Sequence, residues 1–389
     1  MKTENKICAI LSNVTRNEEL SPLTDHRPIA TLPFECKYRL IDFPLSSLAN
    51  AHVSSIFMTA NQGETQSIFD HMGAGSEWGL DSFKNRYFVY IQQDFQRLKE
   101  QGLPYFSQQI NFLRKAKAAY TVLLDSKFIC NVDLTAVLKI HKASEKPITA
   151  VYKKVAPHVA EASDTIIRFD EHNKASSSFL SQLADVQEKE ALSLNMFIVD
   201  TEWLIAFLQR RQEEGEYAST SRLLRKYLAE FDINTYEYTG YMSNIKSIKS
   251  YYDANMLMLE PSNFTALLYG NHPVRTKINN EVPTYFSRES NVTNSQLSSG
   301  CVIEGHVSDS LISRRSKIEK NASVEKTIVF TGSEIRSGAK VTYAIVDKHV
   351  IIESGVKVEG TPEQPVVIPK HTIVRKTLFK SSSFSGKRS

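Results

Sequence analysis

The sequence predicts a two-part protein, an α/β domain with a mostly parallel sheet followed by a parallel β-helix of hexapeptide repeats. Three observations carry this. Short apolar segments alternate with helix-length amphipathic ones through the first 260 residues, the helical periods stop near Pro261, and from about residue 301 apolar side chains return every six residues. At 389 residues the chain is long enough for two to three domains of ~150 residues each.

Segments 7–11, 55–59, 88–91, 120–124, 148–155, 165–169, 195–199 and 234–238 read as strands, because they are short and rich in Val, Ile, Phe, Tyr or Thr. Segments 106–118, 133–142, 201–211 and 221–230 carry apolar residues three and four apart and read as helices. In the third, Trp203, Leu204, Phe207 and Leu208 form one core-facing stripe. Residues 1–260 are therefore expected as one domain. The Asn-, Ser-, Pro- and Thr-rich stretch 261–298 is expected as a linker.

The six-residue rhythm runs through Ile312, Ile318 and Val324, then Ile335 and Val341, then Val350 and Val356, with Gly305, Gly332, Gly338 and Gly355 among the small residues between. Each apolar residue needs a neighbouring rung to cover it, so stacked rungs make one core. The β-helix is expected over 299–380, and residues 381–389 as a basic tail.

Forty-seven basic and 43 acidic residues leave a net charge of +4, and no Asp or Glu follows Glu363 while six Lys and Arg residues do. The basicity belongs to the tail, which argues against a nucleic-acid-binding face. No run approaches the ~18 apolar residues of a spanning helix, so a cytoplasmic protein without membrane contact is expected. Cys8, Cys36, Cys130 and Cys301 lie far apart, which favours buried free thiols over disulfides or zinc.

Pro22-Leu23-Thr24, Arg27, Pro33-Phe34, Lys37-Tyr38-Arg39, Ile41-Asp42-Phe43 and the segment from His71 to Trp78 resemble the glucose-1-phosphate adenylyltransferase (ADP-glucose pyrophosphorylase) family. Ser299-Gly300-Cys301-Val302-Ile303 and the stretch from Ala344 to Ile352 are similar to its β-helix. The resemblance implies a Rossmann-like nucleotidyltransferase domain with a mixed sheet and a left-handed β-helix. It also implies a reaction joining ATP to glucose 1-phosphate with Mg²⁺, releasing pyrophosphate.

Tested residue by residue, most of the family's active site is missing. Where the family has a glycine-rich phosphate loop, Ser12 to Leu20 contains no glycine, and Glu18 and Glu19 would face triphosphate with like charge. The phosphate-neutralising lysine two residues after the family's arginine, here Arg27, is replaced by Ile29. The two metal-carboxylate positions hold Lys127 and Lys249, and an ammonium repels Mg²⁺ instead of ligating it. The glucose-1-phosphate element has no counterpart in the stretch Arg168 to Lys174.

No catalytic or metal-binding residue is therefore assigned, and Mg²⁺ is expected only in a catalytic partner. Lys127 and Lys249 read either as tethers that mimic a metal and hold the site shut or as solvated side chains. Arg27, Lys37 and Arg39 read as residual anion or effector contacts, although for Lys37, Arg39 and Asp42 a salt-bridged scaffold is the favoured reading. The resemblance is strongest to the non-catalytic second-subunit type, which implies a heterotetramer with a catalytic paralogue, with self-association also open. Two alternatives stand: an active enzyme using Asp125 and Asp133 as metal ligands, or a hexapeptide acyltransferase with His306 or His349 as base, or else a plain structural scaffold.

Overall fold

Why the N-terminal segments become a sheet is visible in the first strand, β1 (Ile7–Asn13), which is buried along its whole length. Its side chains alternate: Ile7, Ala9 and Leu11 enter one apolar layer, while Cys8 and Ile10 enter the layer on the opposite face. The computed structural model describes residues 6–82, 85–171, 175–183, 187–270 and 272–379. The tail 381–389 and His172 to Lys174 lie outside the described residues.

β1 pairs in parallel with β2 (Ser55–Ala60) on one side and with β4 (Tyr120–Asp125) on the other, and β3 (Arg86–Ile91) adds in parallel to β2. The sheet then turns mixed. The long strand β8 (Glu190–Asp200) runs antiparallel to β4, to β5 (Ile148–Val155) and to β6 (Thr165–Phe169). Strand β7 (Ala175–Leu180) closes that end against β6, and β9 (Asn234–Glu237) pairs in parallel with β5. Each of the eight strand readings falls on one of these. Only β7 lacked a signal, because Ala175-Ser176-Ser177-Ser178 reads as loop by composition and becomes a strand by pairing with β6.

Helices cover both faces. α1 (Asp42–Asn50), α2 (Thr65–Met72) and α5 (Leu134–Ser144) pack on the side of Ala9 and Leu11. α3 (Gln92–Glu100), α4 (Ser107–Ala116), α6 (Thr201–Glu213) and α7 (Thr220–Tyr227) pack on the other. Trp203 stacks on Phe207 at 5.2 Å, so the α6 stripe is core. None of the described helices is long and apolar enough to cross a membrane.

The stretch expected as a linker is structured at both ends. Pro261 starts a helix rather than ending one, since a first-turn proline lacks only an N–H that would be unpaired anyway. In this helix, α9 (Pro261–Leu268), preceded by α8 (Ile248–Met256), Leu267 and Leu268 are buried beside Phe34, Tyr251 and Ile328. Strands Tyr285–Phe286, Asn291–Thr293 and Gln296–Leu297 already form the first coil of the β-helix. The boundary thus lies after α9, and the solenoid begins before residue 299.

The C-terminal domain is a left-handed β-helix of three parallel sheets. Its coil is 17 residues long through the central turns, with Ile318 opposite Ile335 and Ile335 opposite Ile352. Inward side chains Ile312, Ile318, Val324, Val329, Ile335, Val341, Val346, Ile352 and Val358 are all fully buried, in steps of six, six and five. The five-residue step explains why a strict six-residue rhythm breaks after Val324. Corners repeat at the same interval: Arg315, Gly332 and His349 all have positive φ, as do Asn321, Gly338 and Gly355. At Gly332 a Cβ would come within 2.6 Å of the His349 ring, so glycine at this corner leaves room for that ring.

One outer face of the solenoid lies on the α/β domain. Leu311, Ile328 and Ile345 point outward from the third sheet into a cluster with Leu20, Leu23, Phe34 and Tyr251. Tyr252 donates to the Lys326 carbonyl at 2.5 Å, and Gln296 donates to that of Met258 at 2.9 Å. Each such fully buried aliphatic or aromatic side chain stabilises the contact by about 1.5–3 kcal/mol, which fixes the two domains together.

Candidate functional site

In open α/β sheets ligands bind beyond the carboxyl ends of the parallel strands. Here β1 ends in Ser12 and Asn13, both buried, and β4 ends in Asp125 beside them. Ser126 donates from Oγ to Asn13 Oδ1 at 2.9 Å, closing one strand end on the other. The chain leaves β1 through residues 14–17 and enters a single 3₁₀ turn, Glu18–Leu20, capped by Asn17 Oδ1 accepting from the Glu19 N–H. Glu18 and Glu19 are exposed.

At these strand ends lies a cavity of about 10 Å³ lined by Ser12, Asn13, Thr15, Ile29, Ala30, Asp125, Ser126 and Lys127. That is room for one water at most, against the roughly 300–1,000 Å³ of small-ligand sites. Ile29, where the resemblance leads one to expect a phosphate-neutralising lysine, is buried in the apolar cluster between the domains.

Lys127 stands at the centre of the closure. Its Nζ donates to Glu161 Oε2 at 2.6 Å and to Asp164 Oδ1, and its side chain is only 9% exposed. Asp164, 3% exposed, also accepts at Oδ2 from the Glu161 backbone N–H at 2.8 Å and from Asn244 Nδ2 at 2.7 Å. Glu161 in turn accepts from Asn17 Nδ2 at 3.2 Å, and Asn17 donates to the Lys246 carbonyl at 2.8 Å. Lys246 reaches back to the carbonyls of His158 and Ala160. One network therefore ties the segment after β1, the segment after β4, the segment after β5 and the approach to α8.

The two lysines differ sharply. Lys249 lies on the exposed side of α8 and pairs with Asp253 one turn on, at 2.6 Å with both partners nearly half exposed. It is a solvated helix pair, whereas Lys127 is a buried tether.

Asp125 and Asp133 are both engaged. Asp125 accepts from Asn195 Nδ2 at 2.9 Å and from the Lys127 N–H at 3.0 Å, and burial pushes its carboxyl above the ordinary value. Asp133 caps α5 by accepting from the Thr135 and Ala136 N–H groups, and faces His272 at 3.2 Å. Where the resemblance leads one to expect a metal carboxylate, the Lys127 ammonium is bonded to Glu161 and Asp164. These residues do not fit Mg²⁺. Among the described residues no three His, Cys, Asp or Glu side chains converge as a metal site.

The proposed anion contacts separate into two places. Lys37 is exposed at the mouth of a 620 Å³ cleft between the domains, also lined by Arg275, Lys277 and Arg314. Arg27 is buried and paired with Asp347 of the β-helix, yet its Nη1 has no partner among the described residues. Arg39 donates to the Ser67 carbonyl at 2.9 Å, and burial lowers its guanidinium to about 10. Lys348 lies in the field of both arginines. Burial first, and then Arg39 and Arg27, lower its ammonium to about 7. The Asp42 scaffold is built differently from a salt bridge: its carboxylate accepts the Arg39 backbone N–H at 2.9 Å and meets His71 Nε2 at 2.5 Å.

Sequence reasoning did not single out Glu161, Asp164, Asn244, Asp347 or Lys348. The first three sit in segments with no motif, so only the contacts of Glu161 and Asp164 with Lys127, and of Asn244 with Asp164, reveal them. His306 and His349 are exposed on the solenoid's outer surface, and His349 stacks on His371 at 5.3 Å.

Comparison with known proteins agrees with this architecture. Residues 16–260 match the nucleotidyl transferase family, and residues 280–370 match the GlmU-like C-terminal hexapeptide family. The chain is 26% identical to the glycogen biosynthesis protein GlgD of Bacillus subtilis (strain 168), over 94% of this chain and 96% of that protein. It is 29% identical to the GlgD of Geobacillus stearothermophilus, over 95% and 97%. Identity to the glucose-1-phosphate adenylyltransferase of Thermodesulfovibrio yellowstonii is 24% over 92% of each.

Proposed function

Because the chain belongs to the nucleotidyl transferase family, we propose that it serves glycogen synthesis as a modulatory subunit of glucose-1-phosphate adenylyltransferase, with its own transfer site closed. The relatives it matches along nearly their whole length carry names from glycogen biosynthesis and ADP-glucose formation. The observation that carries the reading is Lys127, held by Glu161 and Asp164 where the family places a metal carboxylate. The cavity of about 10 Å³ beside it supports the same reading.

A chain without its own chemistry acts by assembling with a competent paralogue as a heterotetramer. It then alters turnover through contacts that differ between the partner's active and inactive states. Arg27, Arg39 and Lys348, with Lys37 at the neighbouring cleft, are the groups through which an anionic effector reaches such an assembly. Their surplus positive charge and the unpartnered Arg27 Nη1 support that role.

The test is kinetic. The catalytic paralogue is purified alone and co-expressed with this chain, and ADP-glucose formation from ATP, glucose 1-phosphate and Mg²⁺ is followed. Modulation predicts a shifted KM, kcat or effector response in the co-expressed sample. Identical kinetics, with the two chains eluting apart, reject it.

A further inference from the structure

At the amino ends of the parallel strands, opposite the closed cleft, lies a wide groove of about 1250 Å³. It crosses the starts of β1, β2 and β3 from α5 on one face to α4 on the other. Among the described residues six basic side chains line it, Lys6, His52, Arg86, Lys115, Lys117 and Lys142, and no Asp or Glu does. Its apolar side is formed by Phe88, Tyr90 and Phe112, with Phe88 40% exposed at the surface of an edge strand.

Some of these cations are already placed by the fold. Lys6 donates to the Ala116 carbonyl at the end of α4, and Lys142 sits 5.1 Å from the Tyr120 ring. Lys115 and Lys117 are exposed. The volume exceeds the roughly 300–1,000 Å³ of small-molecule pockets, and an apolar strip beside one-signed charge suits a protein segment of the opposite charge. A net charge of +4 on the whole chain makes this concentration local rather than general.

We infer that this groove seats an acidic segment of the catalytic partner, bearing an aromatic or aliphatic side chain that lies on Phe88. The inference rests on the modulatory reading above and gives it a docking surface. Carboxylates of the segment meet the lysine rim, which steers encounter and fixes register, while burial of Phe88 supplies the non-directional part of the affinity.

The experiment uses the full-length chain and the catalytic paralogue, with association measured by sedimentation velocity. Lys115→Glu/Lys117→Glu reverses the rim charge at two exposed sites outside the closed cleft, and Lys115→Gln/Lys117→Gln removes it without reversal. Thermal unfolding of each variant reports whether it folds. The expected result is a Kd weakened about tenfold or more by reversal and less by neutralisation, with wild-type affinity falling as salt rises from about 50 to about 300 mM. Folded variants that bind within about twofold of wild type overturn the groove as the docking surface while leaving modulation standing. A wild-type pair that does not associate overturns both.

Discussion

Replacing Lys127 by methionine removes the ammonium and leaves two carboxylates facing each other in a closed space. Asp164 keeps its bonds from Asn244 and from the Glu161 N–H, at 2.7 and 2.8 Å, and Glu161 is 29% exposed, so water screens part of the loss. Breaking a buried pair by deleting one partner costs about 3–5 kcal/mol, and the partial exposure of Glu161 places the expected loss near the lower end, about 3 kcal/mol. Both tryptophans, Trp78 and Trp203, lie in the α/β domain, so urea unfolding followed by tryptophan fluorescence reads this domain directly. Adding Asp164→Asn to Lys127→Met removes one unpaired charge and should recover part of the loss, a coupling that a double-mutant cycle isolates. A loss below about 1 kcal/mol for Lys127→Met, the range of exposed pairs, refutes the view of this lysine as a structural tether.

Lys249→Ala should cost no more than about 0.5 kcal/mol in the same assay, because its pair with Asp253 is exposed. Ile335→Ala should cost about 2–5 kcal/mol by leaving a cavity in a fully buried rung, seen as a lowered midpoint for the β-helix by circular dichroism. Sulfate, whose charge is constant across neutral pH, should bind beside Arg27, Arg39 and Lys348 up to about tenfold more tightly at pH 6 than at pH 8 by calorimetry, because Lys348 is depressed to about 7 and binding favours its charged form. Without an anion the sign runs the other way for folding. Between about pH 7 and the ordinary lysine range the unfolded chain holds the extra proton, so stability rises with pH across that window.

The α/β domain was legible because its strands are buried on both faces, so each appears as a continuous apolar run bounded by turns. Helices α1, α2 and α3 were less legible: α1 contains a proline at its third position and two serines, and α3 buries only Phe95. Helix α9 was missed because Pro261 reads as a breaker until its position in the first turn is known. The solenoid was legible through inward Ile and Val, and its 17-residue coil was not, since one five-residue step per turn mimics noise in a six-residue pattern. At the site, the lost glycines and the lysines at carboxylate positions were readable by position. That Lys127 is held and Lys249 is not depends on Glu161 and Asp164, which the chain brings to Lys127 across more than 30 residues.

The central claim is that the transfer site is shut, and its most direct test is ADP-glucose synthesis by the purified chain alone. With enzyme at substrate-like concentration, ATP, glucose 1-phosphate and Mg²⁺ are incubated and product is quantified by mass spectrometry, so that even a single turnover is detected. The account predicts no ADP-glucose above the enzyme-free control. Product formed by the chain alone at or above one equivalent per subunit contradicts it and moves the metal site to Asp125.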